Sequence, residues 1–73
     1  MTNELTCEIL LLVEAVSDGL LSFDLIEITE VYLSEVDQDL INCHINKITD
    51  EGLVHLRRGK VIGLSDAGHD FLS

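Results

Sequence analysis

The chain has 73 residues, 14 acidic and four basic side chains, and a formal net charge of −10 with its three histidines counted neutral. A chain this short buries only roughly 60% of its unfolded surface, which leaves room for one domain, read here as residues 1–73, and little for an enclosed catalytic pocket. Apolar residues make up 47%, which excludes a disordered acidic tail, and the carboxylate surplus opposes generic phosphate-driven binding to nucleic acid, which needs clustered Lys and Arg.

The first predicted element is a helix over Asn3–Ser17. Thr2 or Asn3 can accept from the free amides of its first turn, and Glu4 sits where the helix dipole favours an anion. Leu5, Ile9, Leu12, Val13 and Val16 recur at the spacing of one helical face, with Glu4, Glu8 and Glu14 on the other. Asp18-Gly19 ends the helix, Gly19 being suited to a left-handed C-cap. Leu20, Leu21 and Phe23 read as a very short extended segment. Ser22 is the expected N-cap of a short second helix through Thr29, with Leu25, Ile26 and Ile28 as its apolar contacts. Glu30 to Leu33 reads as a turn, with Tyr32 and Leu33 packing inward.

Ser34 is expected to start the third helix, with Asp37 three residues on in a capping-box-like arrangement. Val36, Leu40, Ile41, Ile45 and Ile48 form its predicted buried face, and Gly52 ends it as a C′ glycine. Leu40, Ile45, Ile48 and Leu53 should pack against Leu12, Val16 and Phe71. Leu53–Leu56 and Val61-Ile62 read as the strands of a hairpin joined by the tight turn Arg57-Arg58-Gly59-Lys60. Ser65 caps a short last helix carrying Ala67, Phe71 and Leu72. The fold class is therefore α+β. The order is that of a winged helix-turn-helix with three helices, a short hairpin wing and a short C-terminal helix; an irregular helical bundle with an incidental hairpin has the same content.

Two stretches carry a resemblance. Ile41-Asn42-Cys43-His44-Ile45-Asn46-Lys47-Ile48-Thr49-Asp50-Glu51-Gly52-Leu53-Val54 resembles the end of the third helix in many winged-helix proteins. Gly63-Leu64-Ser65-Asp66-Ala67-Gly68-His69-Asp70-Phe71-Leu72 is similar to the Gly-Leu-Thr-x-x-Gly-His-x-Phe-Leu ending of a family of small bacterial and phage-borne proteins grouped as a domain of unknown function. Members also begin with an Ile-Leu-rich helix, as Glu8 to Glu14 does. The resemblance implies the winged-helix fold and a mobile-element association, and no chemistry. One departure stands: the turn between Leu56 and Val61 is much shorter than the resemblance implies.

In a DNA-reading winged helix the third helix enters the major groove and the wing tip touches phosphates. Here that helix carries Glu35, Asp37, Asp39, Asp50 and Glu51 against Lys47 alone, a net charge of −4. Two readings of the acidity stand side by side: solubility of a small greasy protein, or a functional face that docks onto a basic groove of another protein. Spaced carboxylates on a rigid scaffold can imitate duplex phosphates, and small acidic phage inhibitors of host defence, anti-CRISPR proteins among them, offer the analogy. On that second reading Glu27, Glu30, Glu35, Asp37 and Asp39 bind a protein with a basic surface, such as a nucleic-acid-binding complex. The alternative is a transcription regulator, acting as a homodimer, that touches DNA through Lys47, Arg57, Arg58 and Lys60; the bland reading of that basic tip is a solvated turn.

Enzymatic chemistry finds no footing. Ser65, Asp66 and His69 stand too close in sequence for the usual triad geometry, and each has a helix-end role. Cys7, Cys43, His44, His55 and His69 lack metal-ligand spacing, and no Gly-rich phosphate loop is present, so no metal and no cofactor is expected. Cys43 is expected as a small core residue, Cys7 as core or half exposed, and His44 and His55 at the boundary. Two cysteines make no disulfide framework, which points to free thiols in the cytoplasm of a bacterial host. The longest apolar run, Ile9 to Val13, is far short of the ~20 residues of a membrane span, and no basic region precedes it as in a secretory signal.

Overall fold

The computed structural model describes the backbone of residues 3–73 and side chains from residue 4 onward; the N-cap expected at Thr2 or Asn3 lies outside the described side chains. Four helices and one antiparallel hairpin follow in the order α1 (Asn3–Ser17), α2 (Leu25–Tyr32), α3 (Gln38–Asp50), β1 (Val54–Arg57), β2 (Lys60–Leu64) and α4 (Asp66–Leu72). The chain is α+β, with the expected element order. Phe23 adds an extended residue on the far side of β2: its N–H donates to the Val61 carbonyl at 3.0 Å and its carbonyl accepts from Val61 N–H at 2.8 Å. β2 is thus flanked by β1 on one side and Phe23 on the other.

The core consists of Ile9, Leu10, Val13, Phe23, Leu25, Ile41, Ile45, Ile48, Leu53, Val54 and Val61. α1 lies against β2, α3 and α4, whereas α2 leans on α3. Because α1 meets three elements, its buried face is wide and includes Leu10, which the predicted stripe omitted, while Leu12 is only half buried. The run Ile9-Leu10-Leu11-Leu12-Val13 has no polar residue to mark the face, so periodicity placed Leu5, Ile9, Val13 and Val16 on the core side but took Leu12 in place of Leu10. Gly19 is not in a left-handed conformation; its N–H and that of Leu20 both donate to the Val16 carbonyl at 3.0 Å.

α2 begins and ends later than its predicted span. Its N-cap is Asp24, not Ser22, with the carboxylate accepting from Ile26 N–H at 3.0 Å. Phe23, pinned in extended form by Val61, leaves Asp24 as the first residue free to cap. The helix continues through Glu30–Tyr32, where a turn was expected, and leaves Ile26 and Tyr32 exposed rather than inward; Leu33 does pack against the core. α3 likewise starts at Gln38, capped by Asp37, whose carboxylate accepts from Asp39 N–H at 3.0 Å. Ser34 remains in the preceding turn. Val36 just before the cap and Ile41 at the fourth helical position have the spacing of a hydrophobic staple, and both meet the core. Leu40 is exposed, so the buried stripe of α3 is Ile41, Ile45 and Ile48.

Gly52, at φ 68, ends α3 as expected. Gly52 N–H donates to the Thr49 carbonyl at 3.2 Å and Leu53 N–H to the Ile48 carbonyl at 3.0 Å, the two bonds of a Schellman motif, with Ile48 and Leu53 both buried. In the hairpin, Val54 pairs with Leu64, His55 with Gly63, Leu56 with Val61 and Arg57 with Lys60, which leaves Ile62 as the extra residue of a bulge. Ser65 caps α4, accepting from Gly68 N–H at 3.1 Å, and its hydroxyl donates to the Gly52 carbonyl. α4 carries Phe71 and Leu72 onto the core, while Ala67 is exposed.

Candidate functional site

Every one of the five acidic residues singled out as a docking set is exposed. Glu27 and Glu30 project from α2, Glu35 from the five-residue turn 33–37, and Asp37 and Asp39 from the start of α3. Asp24, which sequence reasoning passed over, joins them as the α2 cap and is exposed too. The segment from Asp24 to Asp39 therefore carries six carboxylates, and the chain has no Lys or Arg before Lys47. The cap positions are where the sequence and the dipole both favour an anion: Asp24 and Asp37 satisfy orphan amides, and Glu27 and Asp39 stand in the first turns. Asp37 is consequently structural as well as electrostatic. Of the acids assigned to the third helix, only Asp39 and Asp50 fall inside α3, with Glu35 and Asp37 preceding it and Glu51 at its C-cap.

The exposed face of α3, where a recognition helix would present itself, holds Asp39, Leu40, Cys43, Asn46, Lys47 and Asp50. Cys43 is on the outside rather than in the core, because its position falls opposite Ile41, Ile45 and Ile48 on the helix. His44 is half buried and its Nδ1–H donates to the Leu40 carbonyl at 2.9 Å; His55 and His69 are exposed.

The four cations divide between two places. Arg57, Arg58 and Lys60 gather at the hairpin tip, all exposed. Arg58 at φ 54 and Gly59 at φ 79 form a two-residue turn with both central residues left-handed, a geometry that favours Asn-Gly. Arg57 and Lys60 are paired opposite one another, so like charges face across the ladder. Lys47 lies instead at the rim of an open depression of about 170 Å³, with Thr6, Ile48, Glu51, Leu53 and Phe71 as the other lining residues. No hairpin-tip residue lines it.

The residues weighed for catalysis separate. Ser65 is buried and its hydroxyl is committed to the Gly52 carbonyl and the Gly68 amide, whereas Asp66 and His69 point outward on α4. Among the described residues no three His, Cys, Asp or Glu side chains gather as a metal site, and no helix is long and apolar enough to cross a membrane. Cys7 is half buried and both cysteines are free. The two stretches that carry the family resemblance meet in space at the Gly52–Ser65–Gly68 junction, a structural role. Comparison of the chain with protein-family models, with curated proteins and with solved structures gives no match.

Proposed function

We propose that this chain is a non-enzymatic winged-helix protein that acts by docking the acidic α2–α3 surface onto a basic surface of another protein. The fold reading is supported by the order α1, bridged Phe23, α2, α3, hairpin, α4, with β2 between β1 and Phe23. The observation that carries the function is the run of six exposed carboxylates from Asp24 to Asp39 in a stretch without a single cation. Charge of one sign concentrated on one surface steers a partner of the opposite sign and sets the register of docking. A nucleic-acid-binding complex has such a surface; the family resemblance adds a phage or mobile element as the source, the analogy with small acidic phage inhibitors adds inhibition of host defence as the role, and two thiols without a disulfide framework add a bacterial cytoplasm as the place. The test is affinity capture from a bacterial lysate, with and without nuclease, comparing wild type with Glu30→Lys/Glu35→Lys. A partner retained after nuclease and lost with the charge reversal supports the reading; a partner released by nuclease overturns it. Asp37 is left unchanged because its removal would uncap α3.

A second reading, a DNA-binding regulator that contacts phosphates through Arg57, Arg58, Lys60 and Lys47 as a homodimer, is favoured by the hairpin tip itself. A left-handed arginine costs about 1–2 kcal/mol, and the facing Arg57–Lys60 pair adds repulsion, so this turn is not the most stable one available. Against it, non-specific binding of basic proteins lies at a Kd of roughly 10⁻⁴–10⁻⁶ M and rests on several released counterions, while the net charge here is −10. Random duplex DNA is expected to remain unshifted at micromolar protein and physiological salt. A shift that disappears in Arg57→Ala/Arg58→Ala would favour the second reading over the first.

A further inference from the structure

Lys47, the cation away from the hairpin tip, lines the open depression of about 170 Å³ together with Glu51, Thr6, Ile48, Leu53 and Phe71. Lys47 and Glu51 stand four residues apart on one face of α3, both exposed, and among the described residues no ion pair joins them. Thr6, Ile48 and Leu53 are buried and Phe71 is half buried, so the apolar lining comes from the core and the two charges from its solvent edge. The lining is held in place by the backbone: Leu53 N–H donates to the Ile48 carbonyl and the Leu53 carbonyl accepts from Ser65 N–H, each at 3.0 Å. The volume is well below the roughly 300–1,000 Å³ of a drug-sized ligand's pocket, which leaves room for a small metabolite.

We propose that this depression binds a free aliphatic α-amino acid of leucine size. The ligand carboxylate pairs with Lys47, its ammonium pairs with Glu51, and its side chain lies on Ile48, Leu53 and Phe71. Charge decides the class. A simple carboxylic acid is repelled by a chain of net charge −10 and meets Glu51 as a like charge. An amine without a carboxylate meets Lys47 in the same way. A fully apolar ligand covers both charges without giving either a partner. A zwitterion carries no net charge to be repelled and matches both rim groups. Its cationic end is favoured further beside Glu51, the C-cap of α3, where the last carbonyls form the negative end of the helix dipole. The site is independent of the proposed acidic docking surface, since no residue from Asp24 to Asp39 lines it.

The probe is leucine itself, titrated into the full chain and followed by backbone amide NMR shifts. Two analogues each lack one charge: isocaproate has no ammonium and isoamylamine has no carboxylate. Leucine is expected to shift Thr6, Lys47, Ile48 and Leu53 saturably with a Kd of about 10 mM or tighter, the range open to a ligand this small. Each analogue should bind about fivefold or more weakly, the scale of one charged contact at a solvent edge. Lys47→Met should erase the preference for leucine over isoamylamine, and Glu51→Gln the preference over isocaproate. Both side chains are exposed, so the amide spectra of the variants should otherwise match wild type, and the analogue comparison on the wild-type chain needs no variant. Leucine without effect, shifts spread over the chain instead of these residues, or an analogue that binds as tightly as leucine overturns the inference. Variants that keep both preferences overturn it as well. Acidic docking is judged separately, because the capture variant Glu30→Lys/Glu35→Lys changes no residue of the depression.

Discussion

Replacing Gly68 by alanine tests the junction on which the C-terminal half is built. In an exposed helix interior this change stabilises by roughly 1 kcal/mol. Here an added Cβ would stand 2.0 Å from the Leu53 carbonyl oxygen and 3.1 Å from its carbon, both backbone atoms. α4 or the α3–β1 connection must therefore move by about 1.5 Å to reach an ordinary contact distance. The same Leu53 oxygen accepts from Ser65 N–H at 3.0 Å, and Ser65 also holds Gly52 and Gly68. Overpacking of this kind costs roughly 1–3 kcal/mol, and weakening one backbone bond adds about 0.5–1.5 kcal/mol. After subtracting the helix-propensity gain of roughly 1 kcal/mol, the net loss is about 0.5–3.5 kcal/mol. For a domain of this size each kcal/mol moves the midpoint by roughly 4–8 °C, so circular dichroism melting should show a fall of about 2–28 °C. Gly19→Ala is the control: Gly19 has no left-handed backbone and its nearest neighbour would be 3.9 Å away, so stability should hold or rise slightly. A Gly68→Ala protein as stable as wild type would refute the close approach of α4 to Leu53.

Ile48→Ala should cost about 2–5 kcal/mol in denaturant unfolding, whereas Leu40→Ala, on the exposed side of the same helix, should stay within about 1 kcal/mol; equal losses would contradict the α3 register. Ser65→Ala should lose about 0.5–2 kcal/mol for the cap, and more if the Gly52 carbonyl is left unpaired; a neutral result would place the α4 cap elsewhere. Thiol titration of the unreduced protein should find both cysteines, with exposed Cys43 reacting faster than half-buried Cys7 in the folded state. Equal rates, or missing thiols, would contradict this placement.

The candidate surface was legible in part. Glu27, Glu30, Glu35, Asp37 and Asp39 stand out in the chain because no cation interrupts them, and exposure follows from the cost of burying an unpaired carboxylate. The exposed apolar residues did not stand out. Tyr32 and Leu40 read as core residues, since an apolar side chain beside a helical stripe is ordinarily buried. Tyr32 is exposed where α2 continues through it to its C-terminal end, and Leu40 and Cys43 are exposed because both fall off the Ile41, Ile45 and Ile48 stripe of α3. Asp37 as the cap also makes it a poor choice for charge reversal, a consequence visible only once the helix start is known.

What the sequence determined by itself was whatever depends on local chemistry. The element order, the glycine stop at Gly52, the basic turn at Arg58-Gly59 and the Ser65 cap follow from backbone rules that act within a few residues. The tertiary structure decided what depends on competition between equivalent local choices. Ser22 and Asp24 could both cap α2, and Ser34 and Asp37 could both lead α3; each choice was settled by the residue before the cap, Phe23 bridged to Val61 and Val36 seated on the core. Five consecutive apolar residues in α1 left its face undefined until β2, α3 and α4 were packed on it. The approach of Gly68 to Leu53, fifteen residues away in the chain, has no local signature, because it depends on where two separate elements meet in space.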